Sequence, residues 1–60
     1  MYYDVIYSED DGYWYIDAYG RQGKDLSIDK IANNEFPTNL HARRAMAKAY
    51  PEAELINIIT

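Results

Sequence analysis

Sixty residues read as a single domain, residues 1–60, and the absence of cysteine excludes both a disulfide framework and a thiolate zinc site. A chain of this length buries only about 60% of the surface it exposes when unfolded, so a supplement to the core is expected, and oligomerisation is the one left. The net charge is -4, yet Asp4, Glu9, Asp10, Asp11 and Asp17 stand without a base in the first twenty residues, and Arg43, Arg44 and Lys48 without an acid in residues 37–51. That polarity bears on association and steering rather than on fold. The longest apolar run is short and no charged segment leads into an apolar one, so neither a membrane span nor a leader is expected, and a cytoplasmic location is.

The stretches YYDVIY and YWYIDAY are rich in aromatic and β-branched residues and flank an acidic turn with one glycine, which predicts a β-hairpin. Asp11-Gly12 suits a two-residue type I′ turn. That turn sets Tyr7 opposite Ile16 and Val5 opposite Ala18. A four-residue loop, Glu9 to Gly12, would instead oppose Asp4 and Asp17, and like charges directly opposite are destabilising; the tighter turn is therefore expected. In both registers the faces sort alike, because side chains alternate with period two. One face collects Tyr3, Val5, Tyr7, Trp14, Ile16 and Ala18 and is the expected core. The other collects Tyr2, Asp4, Ile6, Ser8, Tyr13, Tyr15, Asp17 and Tyr19.

After the hairpin, GRQGKD reads as a turn. LSIDKIANNEF fits either a short helix capped by Ser27 or a strand with Leu26 and Ile28 on one face, with the helical turn preferred. Phe36 precedes a proline, which excludes the α region there and predicts an extended Glu35-Phe36. TNLHARRAMAKAY is a clear helix, capped by Thr38 or Asn39 and stopped at Tyr50-Pro51. Ala42, Ala45, Met46, Ala49 and Tyr50 share one of its faces, and Arg43, Arg44, Ala47 and Lys48 the other. AELINIIT reads as a strand parallel to a neighbour, and its apolar run from Leu55 to Ile59 predicts a central position covered on both faces. The expected architecture is α+β: a small ββ(β)αβ domain, an antiparallel hairpin plus a C-terminal strand, with one helix packed on one sheet face.

Catalysis is not expected. His41, Ser8 and Ser27 supply the only histidine and serines, and no nucleophile, base and orienting acid fall into an evident set. The Glu9-Asp10-Asp11 run lacks the spaced oxygen ligands and closing glutamate of a calcium loop, so no metal or cofactor is expected and the run reads as a solvated tip able to meet a basic partner. Arg43, Arg44 and Lys48 are candidate ionic contacts. As a phosphate footprint three cations are thin, and the acidic hairpin repels a long nucleic acid, so nucleic acid is disfavoured. The tyrosine face carries acids and no base among its aromatics, which suits a protein interface better than base stacking. Tyr2, Asp4, Asp10, Asp11, Tyr13, Tyr15, Asp17 and Tyr19 are therefore the candidate partner-binding residues.

The stretch YDVIYSEDDGYWYIDAYG resembles the opening of HicB-like antitoxins, with a short strand, an acidic glycine turn and a second aromatic strand. Their proline- and glycine-containing segment after the hairpin has no counterpart here, no DNA-binding domain follows within these sixty residues, and no residue role carries over. The size and ββαβ order are also similar to those of short phage-encoded inhibitors of host enzymes. The expected function is a non-enzymatic, protein-binding inhibitor of phage or mobile-element type, host-takeover or anti-defence in kind, that blocks a host protein surface with its acidic, tyrosine-rich hairpin. The alternative is a nucleic-acid-binding or antitoxin-like module using the basic helix face. A homodimer is expected too, although one sheet face serves both self and foreign partner only if the dimer opens or two sheets extend edge to edge.

Overall fold

The computed structural model describes residues 1–31 and 35–60. Strands β1 (Tyr2–Ser8) and β2 (Tyr13–Tyr19) are followed by helix α1 (Asn39–Ala49) and strand β3 (Glu54–Ile59). The sheet order is β2-β1-β3, with β2 antiparallel and β3 parallel to β1. The protein is thus the expected small α+β domain with its helix against one sheet face. No described helix is long and apolar enough to cross a membrane.

The faces sort as the alternation predicts. Tyr3, Val5, Ile16 and Ala18 from the hairpin meet Ala42 and Met46 from α1 to form the buried core. Trp14, Phe36, Tyr50 and Leu55 pack around it, and the Trp14 ring lies 5.2 Å from that of Tyr7. The helix begins at Thr38, whose side-chain oxygen accepts the His41 N–H at 3.1 Å. It ends where the Tyr50 N–H donates to the Met46 carbonyl at 2.7 Å, one residue before the proline.

The hairpin register differs from the expected one. Asp4 does lie opposite Asp17, and Ser8 opposite Tyr13, so the loop runs from Glu9 to Gly12. A two-residue type I′ turn requires positive φ at both central residues, and a non-glycine residue there costs up to about 1–2 kcal/mol. Among the described residues only Gly12 and Gly23 have positive φ, with Gly12 at 71°. The loop is a single turn closed by the Gly12 N–H on the Ser8 carbonyl at 2.8 Å and by the Ser8 hydroxyl on Asp11 Oδ2 at 2.9 Å. Opposed like charges cost only about 0.2–1 kcal/mol, and Asp4 is engaged by two donors described below. The relaxed loop therefore wins.

The position of the last strand also differs. β1 is central and β3 lies at the sheet edge, with Ile56, Ile58 and Ile59 exposed at 48%, 45% and 43%. The outer edge of β2 is taken by the returning chain, through a Trp14–Phe36 bridge with N···O distances of 2.8 and 2.9 Å and a Tyr19–Asp25 bridge. Only the β1 side of the hairpin was left for β3. The apolar run signals a demand for cover that one eleven-residue helix does not meet.

Between β2 and α1 the described residues form neither the preferred short helix nor a full strand. Ser27 caps no helix; its hydroxyl donates to Asp29 at 2.6 Å. One turn is closed by the Ile31 N–H on the Ile28 carbonyl at 3.0 Å, and Phe36 is extended as its proline neighbour requires. The central part of the LSIDKIANNEF reading, residues 32–34, lies outside the described residues.

Candidate functional site

The face of the sheet turned away from α1 carries the predicted partner-binding tyrosines and acids. Register arranges them in rows across the strands. Tyr19 and Tyr2 form one row with Glu54; Asp17, Asp4 and Asn57 form the next; Tyr15, Ile6 and Ile59 follow; Tyr13 and Ser8 stand at the hairpin end. A polar row is thus flanked by aromatic ones. Tyr2, Tyr13, Tyr15 and Tyr19 are half-buried and Asp17 is exposed, and the Tyr2 and Tyr19 rings lie 6.1 Å apart at 39°.

Asp4 joins all three strands. Its Oδ1 accepts the Tyr19 hydroxyl at 3.0 Å and the Asn57 side-chain amide at 3.2 Å. Asn57 reaches it because β3 is bulged: Tyr3 pairs with Leu55 but Asp4 pairs with Asn57, leaving Ile56 as the extra residue. Strict alternation would put Asn57 on the same face as Leu55, beneath the helix. The bulge re-aims it to the open face and gives the Asp4 carboxylate a second donor beside its like-charged neighbour. Sequence reading missed Asn57 because neither its partner nor the bulge is local.

Two of the open-face phenols, Tyr13 and Tyr19, are held in their protonated form. Partial burial first, then the hydrogen bond to Asp4 and the negative charges of Asp4 and Asp17, push the Tyr19 hydroxyl above its ordinary 10.0. Tyr13 is raised from 10.0 by partial burial and by Asp11, Glu35 and Tyr15. At neutral pH these groups are hydrogen-bonding phenols on apolar rings. The Asp10 and Asp11 tip is exposed and adjoins Tyr13 through the Asp11 charge, so tip and tyrosine face form one acidic surface.

The predicted basic residues are carried by α1, on the other side of the sheet. Arg43 and Arg44 line a groove of about 500 Å³ between α1 and β3, with Tyr3, Leu40, Ala47 and Leu55 among its walls. Lys48 lines a separate hollow of about 390 Å³ with Lys30, Ile31, Ala45 and Ala49. Each residue weighed for catalysis is bound to a near neighbour: Ser8 to Asp11, Ser27 to Asp29, and His41 Nδ1 to the Thr38 hydroxyl at 2.7 Å. Among the described residues no three histidine or carboxylate side chains cluster as metal ligands would. The arrangement offers apolar contact, phenolic hydrogen bonds and negative charge.

No protein-family model, curated protein or solved structure matches the chain.

Proposed function

We propose that this protein is a small non-enzymatic binding module that acts by occupying a surface of another protein. One observation carries this reading: a complete sheet face, opposite the helix, pairs four half-buried tyrosines with a carboxylate row and runs into an acidic tip. Tyrosine gives large contact area at low entropic cost and is enriched at interface centres. The partner surface this chemistry suits is basic, with clefts for aromatic rings, as in a protein that handles nucleic acid. Tyr2, Tyr13, Tyr15 and Tyr19 supply the contact area, Asp4 and Asp17 the polar register, and Asp10 and Asp11 the steering charge. Blocking such a groove is the mode of an inhibitor of phage or mobile-element type, cytoplasmic and directed at a host or defence factor.

The test is capture from lysate with and without nuclease, using wild type and the pair Tyr13→Ser with Tyr15→Ser. A stoichiometric protein that survives nuclease and is lost with the double variant is expected, while the variant keeps its circular dichroism spectrum. Equal capture by both forms would sink the assignment. A second reading rests on Arg43 and Arg44 sharing the groove beside β3, where phosphates of a nucleic acid would find two guanidinium groups. It predicts a mobility shift that is lost on Arg43→Ala with Arg44→Ala.

A further inference from the structure

The two edges of the sheet are treated differently. The β2 edge is closed twice by the chain itself, at Phe36 and near Asp25, where the Leu26 N–H also donates to the Ala18 carbonyl at 2.9 Å. The outer edge of β3 pairs with no described strand. Solitary proteins blunt such an edge with charge, proline or a very short strand. Here Leu55 to Ile59 contains neither charge nor proline, and Ile56, Ile58 and Ile59 keep nearly half their surface in solvent, as does Leu40 at 47% on the adjoining groove.

We propose that β3 pairs antiparallel with β3 of a second copy about a two-fold axis, giving a continuous sheet in the order β2-β1-β3-β3′-β1′-β2′. Closure favours a second copy over an open series. In that sheet both outer edges are β2 edges, which the chain already covers, so association stops at two. Charge points the same way. The seam from Leu55 to Ile59 is neutral, and because β3 runs parallel to β1, antiparallel pairing sends the two acidic tips to opposite ends of the joined sheet. Stacking the open faces instead would crowd Asp4 and Asp17 of both copies into one desolvated layer, where uncompensated carboxylates are strongly disfavoured. The bulge at Ile56 places the pairing on Asn57 to Ile59, where alternation is regular.

In the dimer β3 gains the central position its apolar run implies. Both tyrosine faces remain free, on the same side of the sheet, so the seam does not compete with a foreign partner and stands whether or not that partner exists. A standard interface takes about 800 Å² from each side, close to a fifth of the 4263 Å² surface of this chain. A seam of one short strand falls at the lower end, so the dimer is expected to be concentration-dependent.

The deciding experiment is sedimentation of the purified protein across a concentration series, with thermal unfolding on the same samples. Wild type is expected to approach twice 7.0 kDa and to melt at higher temperature as concentration rises, whereas Ile58→Lys remains at 7.0 kDa with a melting temperature independent of concentration. Should Ile58→Lys fail to fold, the cysteine-free sequence permits a second measurement. Ile58→Cys is expected to give a covalent dimer with a short bis-maleimide, and Tyr15→Cys is not. A wild type that stays monomeric throughout would overturn the proposal, as would cross-linking at 15 in place of 58 or growth beyond the dimer. So would β3 amides that resist hydrogen exchange only when a foreign protein is present, which would assign the edge to that partner.

Discussion

The helix-covered and open faces of the sheet come from the same two alternating strands, yet one is dry and the other is not. On the helix side Val5, Ala42 and Met46 have 0% exposure, and Tyr3, Ile16 and Ala18 have 6%, 5% and 3%. On the open side Asp17 is exposed and the four tyrosines stay half-buried. Stability is therefore concentrated beneath α1, while the open face is held in shape by hydrogen bonds around one carboxylate. Substitutions should separate the two roles.

The largest separation is expected between Met46→Ala and Tyr15→Ser. Truncating a fully buried methionine costs about 2–5 kcal/mol, against a total stability of roughly 3–9 kcal/mol for a chain of this size. Met46→Ala should thus lose most of its cooperative unfolding transition. Tyr15→Ser, on the open face, should stay within about 1 kcal/mol of wild type. Urea titration of both proteins checks the difference; equal losses would mean that the tyrosine face is a second core.

Gly12→Ala tests what fixes the rows of the open face. No neighbour lies within 4 Å of a Cβ built at Gly12, whose φ is 71°, so the cost is backbone strain alone, about 1–2 kcal/mol. The hairpin amides should exchange faster while the helix stays protected. Loss of helix protection in step with the hairpin would show that the two faces are not separable.

Face assignment and helix bounds were legible in the sequence because both depend on local periodicity: Tyr3, Val5, Ile16 and Ala18 alternate, and Ala42 and Met46 repeat at helical spacing beneath a Thr38 cap. The candidate face was legible for the same reason. The hairpin register was not, because Asp11-Gly12 permits two turns and the choice weighs backbone strain at Asp11 against opposed charges relieved by Tyr19 and by Asn57, the latter far along the chain. The edge position of β3 was hidden likewise. An apolar run states that cover is needed, but its place in the sheet was decided by residues 25 and 36 taking the β2 edge.

Asp17→Asn probes a smaller effect. Removing the charge opposite Asp4 should raise stability by a few tenths of a kcal/mol, in the low part of the range for opposed pairs, and the gain should shrink as salt rises. A loss of stability at low salt would mean that the Asp17 carboxylate holds a favourable contact instead.

The smallest effect is expected at alkaline pH, where Tyr19 reports on the open face alone. Its folded pKa is raised above 10.0, first by partial burial and then by Asp4 and Asp17, so the fold favours the protonated phenol. That contribution is complete below the unfolded value and is lost as pH rises through the folded one. Tyr3, beneath the helix, is also raised by burial, against the opposing charge of Arg43, and it titrates in the same direction. Wild-type stability should therefore fall above pH 10.0 from both faces, and Tyr19→Phe should fall less steeply because only the Tyr19 part has been removed. The difference between the two melting curves, measured from neutral pH upward, isolates the whole Tyr19 contribution, burial first and then Asp4 and Asp17; parallel curves would show that ionising Tyr19 costs the fold nothing.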